Sequence, residues 1–290
     1  MLMKSIISAF CLFLAFSATA QKTDGEFHLD KEYKINPTGT IDLRCSDAKI
    51  YVTGSSRITA HVKIDRVVTT KGIIFGGHNE FSVDVSEVNG DLEINEHSNS
   101  VSIGVVGYHY EKYTITIEAP EGMSLKVKGD DGDYWIKNID GAISMQVDDA
   151  DINLTQCSGS KFYFRLDDGD VTMDEGKGSF ELDADDSDVK VSNANFTFVE
   201  AKVDDGDLSI ETSLADNGEY FIDAQDGLVS FAITKGGGKF DIRHDDGRII
   251  TEGNFSTEED SESRTRLLLA SGTARVNIHA DDARVKLIKR

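Results

Sequence analysis

The residues of this chain best placed to do chemistry are aspartates, and they recur in one four-residue pattern. Asp130-Asp131-Gly132-Asp133 is followed by Asp148-Asp149-Ala150-Asp151, Asp167-Asp168-Gly169-Asp170, Asp185-Asp186-Ser187-Asp188 and Asp204-Asp205-Gly206-Asp207. Clustered carboxylates suit hard divalent cations, Ca²⁺ foremost, or general acid–base work. The ladder Asp131, Asp133, Asp149, Asp151, Asp168, Asp170, Asp186, Asp188, Asp205 and Asp207 is therefore the candidate metal site. A plainer reading has each carboxylate accept hydrogen bonds from backbone N–H groups at its corner, with water screening the rest. A third reading makes the row an electrostatic surface for a cationic partner. Known calcium loops do not match: Asp183-x-Asp185 opens like an EF-hand, but Asp188 stands where Gly is needed and Ala194 where Glu is needed. The Gly-Gly-x-Gly-x-Asp repeat of calcium-binding β-rolls does not occur either.

Catalytic readings have less to work with. There is no Gly-x-Ser-x-Gly, no His-Glu-x-x-His and no phosphate loop. The seven histidines (28, 61, 78, 97, 109, 244 and 279) are scattered, and His244 reads as a packed side chain at a strand end. Glycoside hydrolysis needs one carboxylic acid of raised pKa in a pocket, which an exposed row does not offer. The chain thus reads as a non-enzyme requiring no cofactor, with a carbohydrate-active β-helix enzyme as the alternative. By alternation Tyr134 points inward and Trp135 outward, so Trp135 is the aromatic that could stack on a sugar.

Spacing identifies the elements that carry these residues. With degenerate copies at Gln225-Asp226-Gly227, Asp245-Asp246-Gly247 and Asp281-Asp282-Ala283, the second acid falls at 131, 149, 168, 186, 205, 226, 246 and 282. The steps are 18, 19, 18, 19, 21, 20 and 36, the last read as two periods with one copy eroded. Between corners lie alternating runs such as Asp170-Val171-Thr172-Met173 and Phe180-Glu181-Leu182-Asp183-Ala184, which have the period of half-buried strands. Two short strands per period cannot bury their faces alone, so the periods must stack. The predicted fold is all-β: a single-domain right-handed parallel β-solenoid (β-helix) with about 18–21 residues per coil. Ile152, Val171, Val189 and Leu208 are expected in one inward column, and Val147, Leu166, Ala184, Val203 and Ala224 in another.

The N-terminus reads as a processing signal. A basic start at Lys4, an apolar run from Ile6 to Phe16 and Ala18-Thr19-Ala20 give a signal peptide over residues 1–20, cleaved after Ala20. That run is too short to span a bilayer, and no later stretch is apolar enough to do so. The chain is therefore expected to be exported to the periplasm, the outer membrane surface or the extracellular space. Residues 21–128 read as N-terminal coils with a capping insertion at about 71–110, and residues 129–290 as regular acidic repeats and C-terminal coils. Of the cysteines, Cys45 and Cys157 remain after cleavage and read as two isolated thiols, with one bridge between them as the alternative in an oxidising compartment.

Composition fits export and excludes some partners. The net charge is −22 over 290 residues, and residues 130–207 hold 18 Asp and 3 Glu against 6 Lys and Arg. So acidic a chain lacks the cationic face that nucleic acid or an anionic membrane surface needs. At 39% hydrophobic residues it is too apolar for a disordered acidic tail.

Tyr113-Thr114-Ile115-Thr116-Ile117-Glu118-Ala119-Pro120-Glu121-Gly122-Met123-Ser124-Leu125-Lys126-Val127, leading into Gly132-Asp133 and Gly141, resembles the "putative adhesin" family of exported bacterial β-helix proteins. That family is a domain of unknown function related to the auto-transporter adhesin head domain, and the resemblance covers roughly residues 39–290. The Ala-x-Ala-Gln signal end is similar to that of exported proteins of the Bacteroidota. The resemblance implies surface adhesion or envelope association, with a cell-surface or envelope protein or polysaccharide as partner. It brings no catalytic or ligand residues with it.

Overall fold

A computed structural model describes residues 26–75, 81–98, 104–245, 247–270 and 272–290. The signal segment 1–20, and Gly76, Gly77, His78, Val101 and Asp246, lie outside the described residues. The chain is all-β, as expected, and its 23 strands form one sheet, mostly parallel.

Parallel pairing organises the strands into two ladders. In spatial order the first runs through β6 (Asp91–Ser98), β2 (Thr40–Cys45), β8 (Ser124–Gly129), β10 (Ile143–Gln146) and β12 (Lys161–Asp168). It continues through the second halves of β13 (Val171–Asp186) and β14 (Val189–Asp205) to β16 (Glu219–Ala224), β22 (Ala274–Ala280) and β18 (Gly238–His244). The second ladder runs through β7 (Gly104–Pro120), β3 (Lys49–Ser55), β9 (Gly132–Lys137), β11 (Ala150–Thr155) and the first halves of β13 and β14. It ends with β15 (Asp207–Thr212), β17 (Leu228–Ile233), β23 (Arg284–Lys289) and β19 (Ile249–Glu252).

Register makes repeats into columns. Ile152, Val171, Val189 and Leu208 are successive neighbours in the second ladder, and each is at most 1% exposed. Leu166, Ala184, Val203 and Ala224 are neighbours in the first, also buried, and Val147 is buried beside them. A larger column, Leu125, Ile143, Phe162, Phe180, Val199, Tyr220, Val276 and Phe240, fills the space between the two ladders. Phe196, outside this column, stacks on its Phe180 at 5.2 Å. Burying rings of this size supplies the apolar area that single short strands lack.

Among the described residues antiparallel pairing occurs only at the two ends. At one end β4 (Thr59–Phe75) pairs with β7, β1 (Glu26–Lys34) with β4, and β5 (Phe81–Val88) with β6. Phe27, Phe81 and Tyr113 meet edge to face over that end of the core, with the Arg66 guanidinium 3.9 Å from the Phe81 ring. At the other end β21 (Arg264–Leu269) pairs with β18, and β20 (Ser256–Asp260) with β21. Phe255 covers Phe240 there at 5.5 Å. The stretch from 71 to 110 holds the far ends of β4 and β7 and the hairpin of β5 and β6, of which β6 joins the first parallel ladder.

The order of coils departs from the order of sequence at both ends. The coil of β22 and β23 lies between that of β16 and β17 and that of β18 and β19. The expectation that the 36-residue step hides an eroded copy is thus corrected. The chain passes beyond the open coil, turns back through β20 and β21, and fills the vacant rung last. Asp282 N–H donates to Gln225 carbonyl at 2.8 Å, so residue 282 stacks on the copy at 226. The N-terminal end mirrors this: β2 and β3 lie between the later strands β6 and β7 and the strands β8 and β9.

A testable consequence concerns the C-terminal coil. Deleting residues 274–290 removes the partner on which both β18 and β19 rest. Limited proteolysis should then open residues 238–269 while 143–212 stay protected, whereas a stack filled in sequence order would lose only its own last coil. The point variant Leu287→Ala, at a fully buried position, should cost about 2–5 kcal/mol in denaturant unfolding.

Candidate functional site

The corner motif falls between the ladders, and two close approaches shape it. Gly169 (φ +105°) and Gly206 (φ +138°) sit where a Cβ would come within 2.3 Å of Ala150 O and 2.2 Å of Ser187 O. Those carbonyls belong to the same motif one coil away, so the small third residue is set by the neighbouring coil's backbone as well as by φ. Ala150 and Ser187 occupy the same position without a positive φ and are buried.

The aspartates form two rows. In the first, Asp149 bridges Asp168, Asp168 pairs with Asp186, and Asp186 with Asp205, each on the adjacent parallel strand. All four are exposed, as is Asp131. Adjacent parallel strands run about 4.8 Å apart, so these like charges face one another and repel. Asp205 carries the signature: its carboxyl is held above the usual range, by desolvation first and then by Asp226 and Asp186.

In the second row Asp133 pairs in register with Asp151, and Asp151, Asp170, Asp188 and Asp207 are exposed. Three of these carboxylates accept from the backbone. Asp151 Oδ1 accepts from Asp170 N–H at 3.1 Å, Asp188 Oδ1 from Asp207 N–H at 2.8 Å, and Asp207 Oδ1 from Leu228 N–H at 3.0 Å. The donors lie one coil on, 19 or 21 residues away, so the side chains clip coils together instead of closing turns within their own corner. At the N-terminal end Asp133 Oδ2 meets Lys49 Nζ at 3.0 Å. Among the described residues no three His, Cys, Asp or Glu side chains converge as a metal centre.

The first row extends beyond the motif. Asp47, whose carboxyl is pushed up by desolvation and then by Asp131 and Glu96, continues it at the N-terminal end. Glu96 accepts from Ser46 N–H at 3.1 Å and from Ser46 Oγ at 2.6 Å. The sequence signal for Asp47 was its place before a small residue and a strand, Asp47-Ala48-Lys49-Ile50.

Other sequence candidates fall as follows. Trp135 points outward and stacks on Tyr51 of the adjacent strand at 4.7 Å and 10°, while Tyr134 is fully buried. His28, His61, His97 and His279 each meet an aspartate across strands, at 3.0, 2.7, 3.2 and 3.1 Å. His244 is half-buried at the end of β18, its Nε2 3.2 Å from Thr265 Oγ1. Cys45 and Cys157 are buried and free, and burial pushes the Cys45 thiol up to about 12.

The raised carboxyls give stability a pH dependence of defined sign. Asp47 and Asp205 bind protons in the fold at higher pH than in the unfolded chain, so their repulsive cost is present at neutral pH and relieved as pH falls toward the ordinary Asp range. Asp241 and Asp42 have the opposite sense: paired with Arg264 and with Lys126 and Arg44, they stabilise above the ordinary range, and that contribution is lost on stronger acidification. A thermal scan should therefore show the melting temperature rising on mild acidification before it falls. Asp205→Asn should flatten the rise; a melting temperature that falls monotonically from neutrality contradicts this account.

The sequence profile of the Toastrack DUF4097 family matches residues 41–287. Among solved structures, a "putative adhesin" from Bacteroides fragilis shares 15% identity over 90% of this chain and 96% of its own, with a TM-score of 0.40. A "putative cell adhesion protein" from Clostridium sporogenes shares 11% identity over 91% of this chain and 100% of its own, with a TM-score of 0.28. No curated protein matches the chain in sequence. With five-sixths of its length matched by one profile, and the x-Gly-Asp corners and Pro120-x-Gly122 that carried the resemblance inside that match, this chain belongs to the Toastrack DUF4097 family.

Proposed function

We propose that the chain is an exported, non-enzymatic right-handed β-solenoid, of about 18–21 residues per coil, that acts as an adhesin-like binding or scaffold module at the cell surface or in the periplasm. Its partner is an envelope protein or polysaccharide. Its working edge is the first aspartate row, which gathers divalent cations, Ca²⁺ foremost, between carboxylates of neighbouring coils.

The observation behind this reading is the in-register sequence Asp149, Asp168, Asp186, Asp205 on an exposed edge. The fold gains nothing from like charges one strand apart, and the second row already supplies the clips between coils. A charge row kept at a cost to stability is accounted for by what it attracts. Right-handedness follows from the crossover rule for parallel strands, and export from the residue pattern of positions 1–20.

Two measurements test the edge. A cation that binds the folded state alone raises the unfolding midpoint by mass action. Melting in millimolar CaCl₂ should therefore exceed melting in chelator at matched ionic strength. The triple variant Asp149→Asn, Asp168→Asn, Asp186→Asn should melt higher than wild type in chelator, by relief of like-charge repulsion, and lose most of the calcium response. Equal midpoints with and without calcium remove cations from the reading and leave the edge as a surface for a cationic partner.

A further inference from the structure

A second face of the molecule has different chemistry. On the outer side of the first ladder, where β14, β16, β22 and β18 lie side by side, there is an open groove of about 510 Å³. Register lays its floor out as two rows. One is Glu200, Phe221, Asn277 and Asp241; the other, two residues along each strand, is Lys202, Asp223, His279 and Arg243.

Three features characterise this groove. Phe221 is 40% exposed at an outward position, where the flanking coils carry Glu200 and Asn277. Its ring leans on Phe198 at 6.3 Å and 56°, which fixes its orientation while leaving it open to solvent. The polar groups around it are mostly planar and partly fixed in place. Asp241 accepts from Arg264 Nε at 2.8 Å and lies 3.6 Å from Arg266, and the Arg264 bond holds its carboxyl below the usual range. His279 Nδ1 lies 3.1 Å from Asp223 Oδ1. The charges are also nearly balanced: Lys202 and Arg243 stand among Glu200, Asp223 and Asp241, in a chain of net charge −22.

We infer that this groove is a binding site for a neutral oligosaccharide. An open aromatic ring offers a face to the C–H side of a pyranose. The surrounding carboxylates, amide, imidazole and guanidinium present both donors and acceptors to ring hydroxyls, and a few placed polar groups around an apolar contact are what orient a small ligand. A polycation finds a far stronger field along the aspartate edge, and a polyanion meets three carboxylates here, so charge leaves the neutral sugar as the fitting ligand. The inference names a partner class for the binding module proposed above, but it uses a separate face and does not depend on the cation edge.

The test is binding of the full mature chain to a panel of neutral hexose and N-acetylhexosamine oligosaccharides of four to six units, with uronate and glucosamine oligosaccharides as charged arms. Amide chemical shifts provide the readout. At least one neutral oligosaccharide should bind in the millimolar range or tighter and move resonances of Phe221, Asp223, Asn277 and His279. Phe221→Ala should weaken it roughly tenfold, a loss of about 1.4 kcal/mol, while Phe221→Tyr retains binding and the triple Asn variant of the aspartate edge leaves it unchanged. No neutral sugar bound at millimolar concentration, preference for a charged arm, or affinity indifferent to Phe221→Ala would each overturn the inference. Those outcomes leave the calcium response of the edge untouched, so failure here is distinguishable from failure of the broader reading.

Discussion

Parallel, in-register hydrogen bonding between successive coils is the constraint on which everything else here depends. Once Val171 pairs with Val189 and Asp186 with Asp205, each residue's nearest neighbour along the stack is its own counterpart in the repeat. Like then stacks on like. For apolar residues this is cooperative: Phe162 meets Phe180, Ile152 meets Val171, and a continuous core forms without any coil having one of its own. For acids the same pairing is repulsive. Core columns and the charged edge are two results of one register, and a one-residue slip would exchange the faces and lose both.

The two aspartate rows show how the chain handles that repulsion. In the second row the carboxylate is spent on a backbone N–H of the next coil, as Asp188 is on Asp207. Such a bond is charge-assisted and joins coils at the corner, where the ladders are interrupted. The first row lacks comparable backbone clips, and the carboxyl of Asp205 is held above its usual range, by desolvation first and then by Asp226 and Asp186. A motif that reads as one acidic cluster in sequence is thus a structural residue and a surface residue side by side, separated by a small one.

That division marks how far the sequence could be read. From 130 to 207 local pattern and tertiary register coincide, so strands, inward columns and the aspartate row are legible from spacing alone. At the ends they do not. Strands β2 and β3 rest between elements more than 40 residues later, and residue 282 stacks on 226 although β18 and β19 come between the two in sequence. No periodicity announces an exchange of rungs, because each strand alternates equally well in either slot. The clips between coils were likewise invisible: an Asx turn within a corner and a bond to the corner one coil on use the same residues. Phe221 was readable in principle, as an apolar residue in the polar phase of Tyr220-Phe221-Ile222-Asp223-Ala224, but its significance comes from the partners that register places around it.

The exchanged rungs bear on a difficulty every parallel stack must meet. A parallel ladder filled in chain order would finish with its last coil both terminal and exposed, its apolar columns open and its edge strands free to pair with another chain. Here neither the first nor the last coil of the chain is terminal in space. The outermost parallel strands are internal segments, and three of them have antiparallel partners: β7 has β4 and β6 has β5 at one end, and β18 has β21 at the other. Antiparallel strands need only short turns to fold back, so they close an end where a further crossover would prolong it. Two of the strands left outermost are poor templates: β1 reads Glu-Phe-His-Leu-Asp-Lys-Glu-Tyr-Lys and β20 reads Ser-Thr-Glu-Glu-Asp. The coil of β2 and β3 and that of β22 and β23 each lie one rung inside the stack, paired on both sides, so each end of the parallel ladders is built from internal segments of the chain.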